Sequence, residues 1–304
     1  MSRSLRGAML GTAGAVAGVA AWYALRIEPD LIESTETDLL VPGWHSKATR
    51  ILFLSDAHHW DWGVREESVI AALAQNPVPP DLIVWGGDYV GHERGVPTAI
   101  RFCSAVRELH PTVPMVAVRG NAEHKIDAAR RALLESGMAD QGVRWLINDA
   151  RTIQVAGSPV WIAGCDDPYY GFCDLDRTLE GIEPSAPTLL VAHSPQIVAR
   201  AAARGVGLML SGHTHGGQVR IPGIGALRTQ NPQSRRIDAG RFDRARLTDC
   251  LGRDPGTDTV LYVGRGIGLA FVPRLPWLAP RFACRPEIAW LSVRSPTSVA
   301  DGDA

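Results

Sequence analysis

Five short polar segments of the sequence carry side chains of the kinds that bind divalent metal ions, and each segment directly follows an apolar run. The side chains are carboxylates, imidazoles and one amide, and they belong to Asp56, His58, Asp88, Asn121, His193, His213 and His215. Short apolar runs bounded by turn residues predict buried strands. Because ligands of α/β proteins collect beyond the carboxyl ends of strands, we expect the five segments to meet at one site.

This ligand set predicts a particular chemistry. Carboxylates and imidazoles without a thiolate suit hard or borderline divalent cations. Two such ions, about 3.5–4 Å apart, can clamp a phosphoryl group and activate a water molecule. Taken singly, His193 would more often be a structural histidine, and Asp88 could be a turn residue. Their order and spacing favour metal ligands instead, so the pattern predicts hydrolysis of a phosphate ester.

The five segments resemble the signature of the calcineurin-like metallophosphoesterase superfamily, which reads D-x-H, G-D, G-N-H-[DE], H and G-H-x-H. The resemblance covers roughly residues 49–293, and Gly212–Gln218 is its most specific part. It implies two metal sites bridged by Asp88, with Asp56, His58 and His215 at the first and Asn121, His193 and His213 at the second. A hydroxide held between the metals would attack phosphorus. We expect Mn²⁺, with Fe²⁺ and Zn²⁺ as alternatives.

The sequence departs from that signature at one position. Ala122 stands where the family has the histidine that assists the leaving group. General acid catalysis typically contributes about 10²–10⁴-fold. We therefore predict His124 as the replacement acid and, with Asp88, as a catalytic residue, and His59 and His92 are other possible donors. The alternative for His124 is a surface histidine at the start of a helix that includes residues 127–134. A phosphoanhydride needs less protonation of its leaving group, so the departure slightly favours that bond.

Segments outside the metal set resemble the YkuE- and YaeI-like branch of membrane-associated phosphodiesterases, notably Gly164–Pro168 and Gly264–Gly268. That branch includes UDP-2,3-diacylglucosamine pyrophosphatases of lipid A synthesis, which implies a lipid-linked substrate for phosphodiester or phosphoanhydride hydrolysis. Apolar residues in 267–284 could contact acyl chains or simply pack on the core. Arg235 and Arg236 are candidate ligands for a second phosphate, with solvated loop charge as the alternative. A non-enzymatic, metal-binding scaffold at the membrane is the competing function.

The N-terminal segment contains a long run without charge. Arg3 and Arg6 precede residues 7–25, and Arg26 follows them. As a helix, these residues would span about 28 Å, close to the thickness of a bilayer core. We predict a single-pass anchor in a bacterial inner membrane with the catalytic domain on the extracytoplasmic side. The alternative is export followed by signal cleavage.

Strands that alternate with helical patterns predict an α/β fold, and the resemblance implies a two-sheet sandwich flanked by helices. We divide the chain into the N-terminal segment 1–27, a linker and edge strand 28–48, the metallophosphoesterase domain 49–294 and a disordered tail 295–304. Strand patterns at 145–147, 152–155 and 160–163 predict an antiparallel meander. The net charge of −1 argues against nucleic-acid binding. The sequence leaves the oligomeric state open.

Overall fold

Two six-stranded sheets pack against each other in the computed structural model, which describes residues 3–45, 47–270 and 278–296. In spatial order, the first sheet contains β1 (Glu33–Leu40), β14 (Glu287–Arg294), β2 (Thr49–Leu54), β3 (Leu82–Trp85), β4 (Met115–Ala117) and β5 (Val143–Trp145). Strands β2 to β5 run parallel to one another. Strand β14 runs antiparallel to β2, and β1 pairs in parallel with β14 at the sheet edge.

The second sheet has a mostly parallel centre. Its spatial order is β12 (Gly240–Phe242), β13 (Val260–Val263), β9 (Leu208–Ser211), β8 (Thr188–Val191), β7 (Ser158–Gly164) and β6 (Asp149–Val155). Strands β13, β9, β8 and β7 are parallel, whereas β12 and β6 pair in the antiparallel sense at the two edges. A small hairpin, β10 (Arg220–Ile221) and β11 (Gly225–Ala226), lies outside both sheets.

Helices cover the outer faces of the two sheets, so the central strands are buried on both sides. Helices α2 (Val64–Ala74), α3 (Val96–Leu109) and α4 (Ala128–Asp140) pack on the first sheet, and α5 (Leu175–Thr178), α6 (Val198–Ala203) and α7 (Arg244–Leu251) pack on the second. In β2, Ile51 and Phe53 face the core between the sheets, whereas Leu52 and Leu54 face the helices. This double burial explains the continuous apolar runs of the sequence.

The predicted two-sheet α/β sandwich is confirmed, but the predicted meander is wrong in its first strand. Strand β5 begins at Val143 and pairs in parallel with β4 in the first sheet. Of the three predicted strands, only β6 and β7 form an antiparallel pair, joined by Ala156 and Gly157, whose φ angles are +52° and +83°. The short loop after β5 therefore crosses between the sheets, which the strand pattern alone does not reveal.

A helix, α1 (Arg3–Arg26), occupies the segment for which the sequence predicts a membrane anchor. Within the described parts of the chain, however, no helix combines the length and the apolarity needed to cross a bilayer. The prediction rested on the length of the uncharged run, but that run is rich in alanine and glycine, which contribute little apolar surface. The predicted tail lies almost entirely outside the described residues, as does the central part of the apolar stretch 267–284.

Candidate metal centre

The ligand segments lie at the carboxyl ends of parallel strands in both sheets. Strand β2 leads into Asp56 and His58, β3 into Asp88 and β4 into the loop of Asn121, whereas β8 leads into His193 and β9 into His213 and His215. Backbone hydrogen bonds hold neighbouring loops of each sheet to one another. The Asp56 amide donates to the Gly87 carbonyl at 2.9 Å, and the Gly212 amide donates to the His193 carbonyl at 2.9 Å. The amide of His213 also donates to Asp56 Oδ1 at 3.0 Å, so the polar ends of the two sheets face the same region.

Two groups of three residues place potential ligand atoms within 4.8 Å of one another. Asp56, His58 and His215 form the first group, and Asp56, Asp88 and His193 form the second. The Nε2 atoms of His58 and His215 lie 3.1 Å apart. Asp88 Oδ2 lies 3.4 Å from His58 Nε2 and 3.3 Å from His193 Nε2. Asp56 is shared by both groups, and Asp88 lies between His58 and His193.

The ring of His193 is oriented as a metal ligand. Its Nδ1 atom lies 2.8 Å from the Gly86 carbonyl oxygen. A carbonyl oxygen only accepts, so Nδ1 carries a proton and Nε2 faces the carboxylates. That Nε2 atom is buried, and it lies 3.3 Å from Asp88 Oδ2 without forming a hydrogen bond of good geometry with any described residue. A buried polar atom without a partner is costly, and a divalent cation at this position would supply one. The donor set therefore fits a metal.

The side chain of Asn121 gives a second indication. One terminal atom of its amide lies 2.8 Å from His213 Nδ1, and the other lies 3.1 Å from Lys125 Nζ. Hydrogen bonding alone places Nδ2 at His213 and Oδ1 at the lysine. A cation between Asn121 and His213 would require the opposite orientation, because Oδ1 is the atom that ligates hard and borderline metals. Nδ2 therefore faces His213 in the metal-free amide, and Oδ1 faces His213 in the metal-bound one.

Backbone conformation at the site is unusual. Asp56, His58, Asp88, His213 and His215 all have positive φ angles, between +45° and +69°. Residues other than glycine rarely adopt this left-handed region, which costs of order 1–3 kcal/mol where the surroundings enforce it. Such residues cluster at functional sites. Here all five residues with this conformation are predicted metal ligands.

Burial keeps most of the histidines neutral. It lowers the pKa of His58, lowers that of His215 well below its usual value and lowers that of His213 to about 3. His193 behaves differently. Burial alone would lower its pKa, but the carboxylates of Asp88 and Asp56 outweigh burial and raise the pKa to about 10. The pKa of Asp88 is held well below its usual value, because His193 and His58 outweigh burial.

A buried carboxyl beneath the site has no role in the sequence prediction. Glu123 accepts hydrogen bonds from the backbone amides of Asp88 at 2.9 Å, Tyr89 at 2.9 Å and Gly120 at 2.8 Å. Burial and the charge of Asp88 raise the Glu123 pKa to about 7. It thereby ties the loop after β4 to the loop after β3. The only signal in the sequence was its place in the Gly120–His124 segment.

A second buried group was also missed. Arg281 is fully buried and donates to the carbonyls of Arg265 at 2.8 Å, Gly268 at 2.6 Å and Cys284 at 3.0 Å. Its Nη2 atom lies 3.4 Å from Nδ1 of His215. Burial lowers its pKa to about 10, so it stays charged near neutral pH. Its place within an apolar, proline-rich stretch was the available signal.

The remaining sequence predictions concern the catalytic acid and the phosphate-binding arginines. His124 Nε2 lies 2.8 Å from Asp166 Oδ1, and its ring stacks on Phe172 with a centroid distance of 4.2 Å. Arg236 pairs with Asp249 of α7 at the surface, and Arg235 is exposed. The structure thus engages His124 and Arg236 with carboxylates outside the metal groups. The catalytic and substrate-binding roles given to these residues stay predictions.

Comparison with known proteins decides the family. The model of the calcineurin-like phosphoesterase family matches residues 49–217. The chain belongs to this family. It is 30% identical to the metallophosphoesterase YkuE of Bacillus subtilis over 288 residues, which cover 93% of each chain. It is 26% identical to the phosphodiesterase YaeI of Escherichia coli over 247 residues, 80% of this chain and 82% of YaeI. The chain is therefore a metallophosphoesterase, and Asp56, His58, Asp88, His193 and His215 are its candidate metal-binding residues.

Proposed function

We propose that this metallophosphoesterase hydrolyses phosphodiester or phosphoanhydride bonds with two divalent cations, Mn²⁺ being the first to test. The observation that supports this most strongly is the sharing of Asp56 by the two ligand groups. Two overlapping groups suit a pair of neighbouring ions better than two separate sites. When bound, such ions supply Lewis-acid activation of water and of phosphoryl oxygens.

The residues of the chain would prepare the site in three ways. The Gly86 carbonyl fixes the ring of His193, so that Nε2 points at the cluster without rearrangement. The Ala122 amide donates to Asp88 Oδ1 at 2.7 Å and holds that carboxylate between the two groups. Burial of Asp56, Asp88 and His193 keeps bulk water away, which strengthens electrostatic interactions with a phosphoryl group.

For the substrate, we propose a lipid-linked diphosphate such as UDP-2,3-diacylglucosamine. Exposed aromatic rings next to the site support this choice. The ring of Tyr169 lies 4.7 Å from that of His213, and the side chains of Tyr169, Tyr170 and Phe172 are 41%, 48% and 50% exposed. Large exposed aromatic groups at the rim of a polar site suit a ligand that carries both a phosphate and an apolar or planar part.

Hydrolysis assays with the purified full chain test the proposal. We expect Mn²⁺-dependent cleavage of bis-(p-nitrophenyl) phosphate and faster cleavage of UDP-2,3-diacylglucosamine than of UDP-glucosamine, which has the diphosphate but no acyl chains. Equal rates on the two UDP compounds would contradict the lipid part of the proposal only. The absence of metal-dependent turnover on all three compounds would contradict the hydrolase proposal itself. Asp88→Asn protein serves as the inactive control.

A further inference from the structure

Lys125 is a cationic side chain beside the ligand residues that the proposed function leaves without a role. It is exposed, and Nζ lies 3.1 Å from the amide of Asn121. The turn that carries it is held in place, because its own amide donates to the Ala122 carbonyl at 3.0 Å and Glu123 binds the Gly120 amide at 2.8 Å. Lys125 therefore reaches the edge of the metal cluster from a fixed backbone.

Three arginines near the site, among the residues that the structure describes, are already neutralised or enclosed. Arg281 is completely buried against backbone carbonyls. Arg119 binds Glu135 at 2.7 Å and Asp166 at 3.2 Å, and Arg220 binds Asp238 at 2.7 Å. Lys125 instead contacts a neutral amide. An ammonium group held by a neutral partner retains its charge for a phosphate anion.

The contact with Asn121 depends on the orientation of that amide. With Oδ1 toward Lys125, the amide accepts from Nζ at 3.1 Å and from the Ala122 amide at 3.2 Å. If Oδ1 turns toward His213 to bind a cation, Nδ2 faces the ammonium group instead. Two donors at that distance repel each other, so the lysine must move.

We propose that Lys125 is a substrate-binding residue of this site, and that metal binding by Asn121 and His213 releases its ammonium group to contact a phosphoryl oxygen. The inference rests on the proposed phosphoesterase function. The electrostatics agree with this placement of Lys125. Burial is the main cause of the lowered pKa values of His58 and His213, and the charge of Lys125 adds to it. Lys125 thus acts on residues of both predicted metal sites.

The small number of lysines allows a direct test. Lys47 and Lys125 are the two lysines of the chain, so full-length protein labelled with [¹³Cε]lysine gives two assignable NMR signals. We expect the Lys125 signal to shift when diamagnetic Zn²⁺ is added and to shift again with inorganic phosphate, while the Lys47 signal stays in place. A Lys125 signal that ignores phosphate in the zinc-loaded protein would overturn the proposal.

Binding measurements on variants provide the second test. In zinc-loaded Lys125→Met, we expect affinity for inorganic phosphate to fall about tenfold, the scale of one charge-assisted hydrogen bond. Lys125→Arg should retain most of the affinity, and Lys47→Met should match the wild type. Lys125→Met should also bind Zn²⁺ at least as tightly as the wild type, because the lysine no longer competes for Asn121 Oδ1. Weaker zinc binding would contradict the release step.

Three further outcomes separate this inference from a role of His124 and from the proposed function. Phosphate affinity that falls in His124→Gln but not in Lys125→Met would assign the role to His124 and overturn the lysine proposal. Wild-type turnover of a phosphodiester together with an unresponsive Lys125 signal would overturn the lysine proposal and leave the proposed function intact. No turnover by the wild type, with any of the metals, would remove the function on which the inference rests.

Discussion

The backbone amide of His213 donates to both carboxylate oxygens of Asp56, at 3.0 and 3.1 Å. The contact joins the carboxyl end of β9 in the second sheet to that of β2 in the first. It fixes the orientation of the Asp56 carboxylate, which belongs to both ligand groups. Gly212 makes this approach possible, because a Cβ atom there would lie 2.1 Å from Asp56 Oδ2.

Gly212→Ala should therefore damage the site without touching a ligand side chain. The added methyl group must push Asp56 away, and overpacking of this kind typically costs about 1–3 kcal/mol. We expect lower stability in urea unfolding and weaker binding in a zinc titration. Gly18→Ala is the control, since a Cβ there meets nothing within 4 Å. Wild-type zinc affinity in Gly212→Ala would show that the Asp56 position is not critical.

Asp88→Asn tests the carboxylate between the two ligand groups. The substitution keeps the shape of the side chain and its acceptor for the Ala122 amide, but it removes the charge that faces His58 and His193. We expect metal affinity to fall by at least about 100-fold, because loss of even an outer-shell partner costs about 10–100-fold. Calorimetric titration with Mn²⁺ measures the change.

Asp254→Asn is the matched control, because it also removes one negative charge. Asp254 is exposed and pairs with Arg244 at the surface, where a single ion pair contributes little to stability. The metal affinity of the Asp254→Asn protein should equal that of the wild type. A similar fall in both variants would mean that overall charge, rather than the position of Asp88, governs metal binding.

The fold and the candidate ligands were largely predictable from the sequence, for a simple physical reason. Strands buried on both faces, such as β2 and β3, leave continuous apolar runs, and the polar residues that end them are conspicuous. The strand order was not predictable. Strand β5 has the same length and composition as a hairpin strand, and only its pairing with β4 assigns it to the first sheet.

Side-chain contacts are the other feature of the structure that the sequence did not predict. The sequence places His124 two residues from the vacant position, but it does not show that Asp166, 42 residues later, binds the imidazole. It likewise gives no sign that Lys125 folds back to Asn121 or that Arg236 pairs with Asp249. These contacts depend on long-range packing, which residue spacing does not encode.

Glu123→Gln tests the carboxyl that joins the loops after β3 and β4. A glutamine oxygen can keep two of the three backbone amides, but its NH₂ group would then face the third donor. An unsatisfied buried donor costs about 1–3 kcal/mol, so we expect the free energy of unfolding in urea to fall by about that amount. Relief of repulsion with Asp88 offsets part of the loss. Glu108→Gln, an exposed change on α3, should have no effect; equal stability of both variants would contradict a role for Glu123.

Metal binding should release a proton from His193, and metal affinity should therefore rise with pH. Asp88 and Asp56 raise the His193 pKa to about 10 in the metal-free protein, so the ring is protonated at neutral pH and a metal must displace that proton. His58, His213 and His215 have lowered pKa values, which disfavours their protonated forms. Between pH 6 and 8.5 we expect Zn²⁺ affinity to increase up to about tenfold per pH unit. Calorimetry in buffers of different ionisation enthalpy should detect about one proton released per protein.

His110 provides the control, because its ring packs on Trp290. The variant His110→Gln should keep this proton release, whereas His193→Gln should lose it. A zinc affinity that does not change with pH would mean that His193 is neutral before the metal binds.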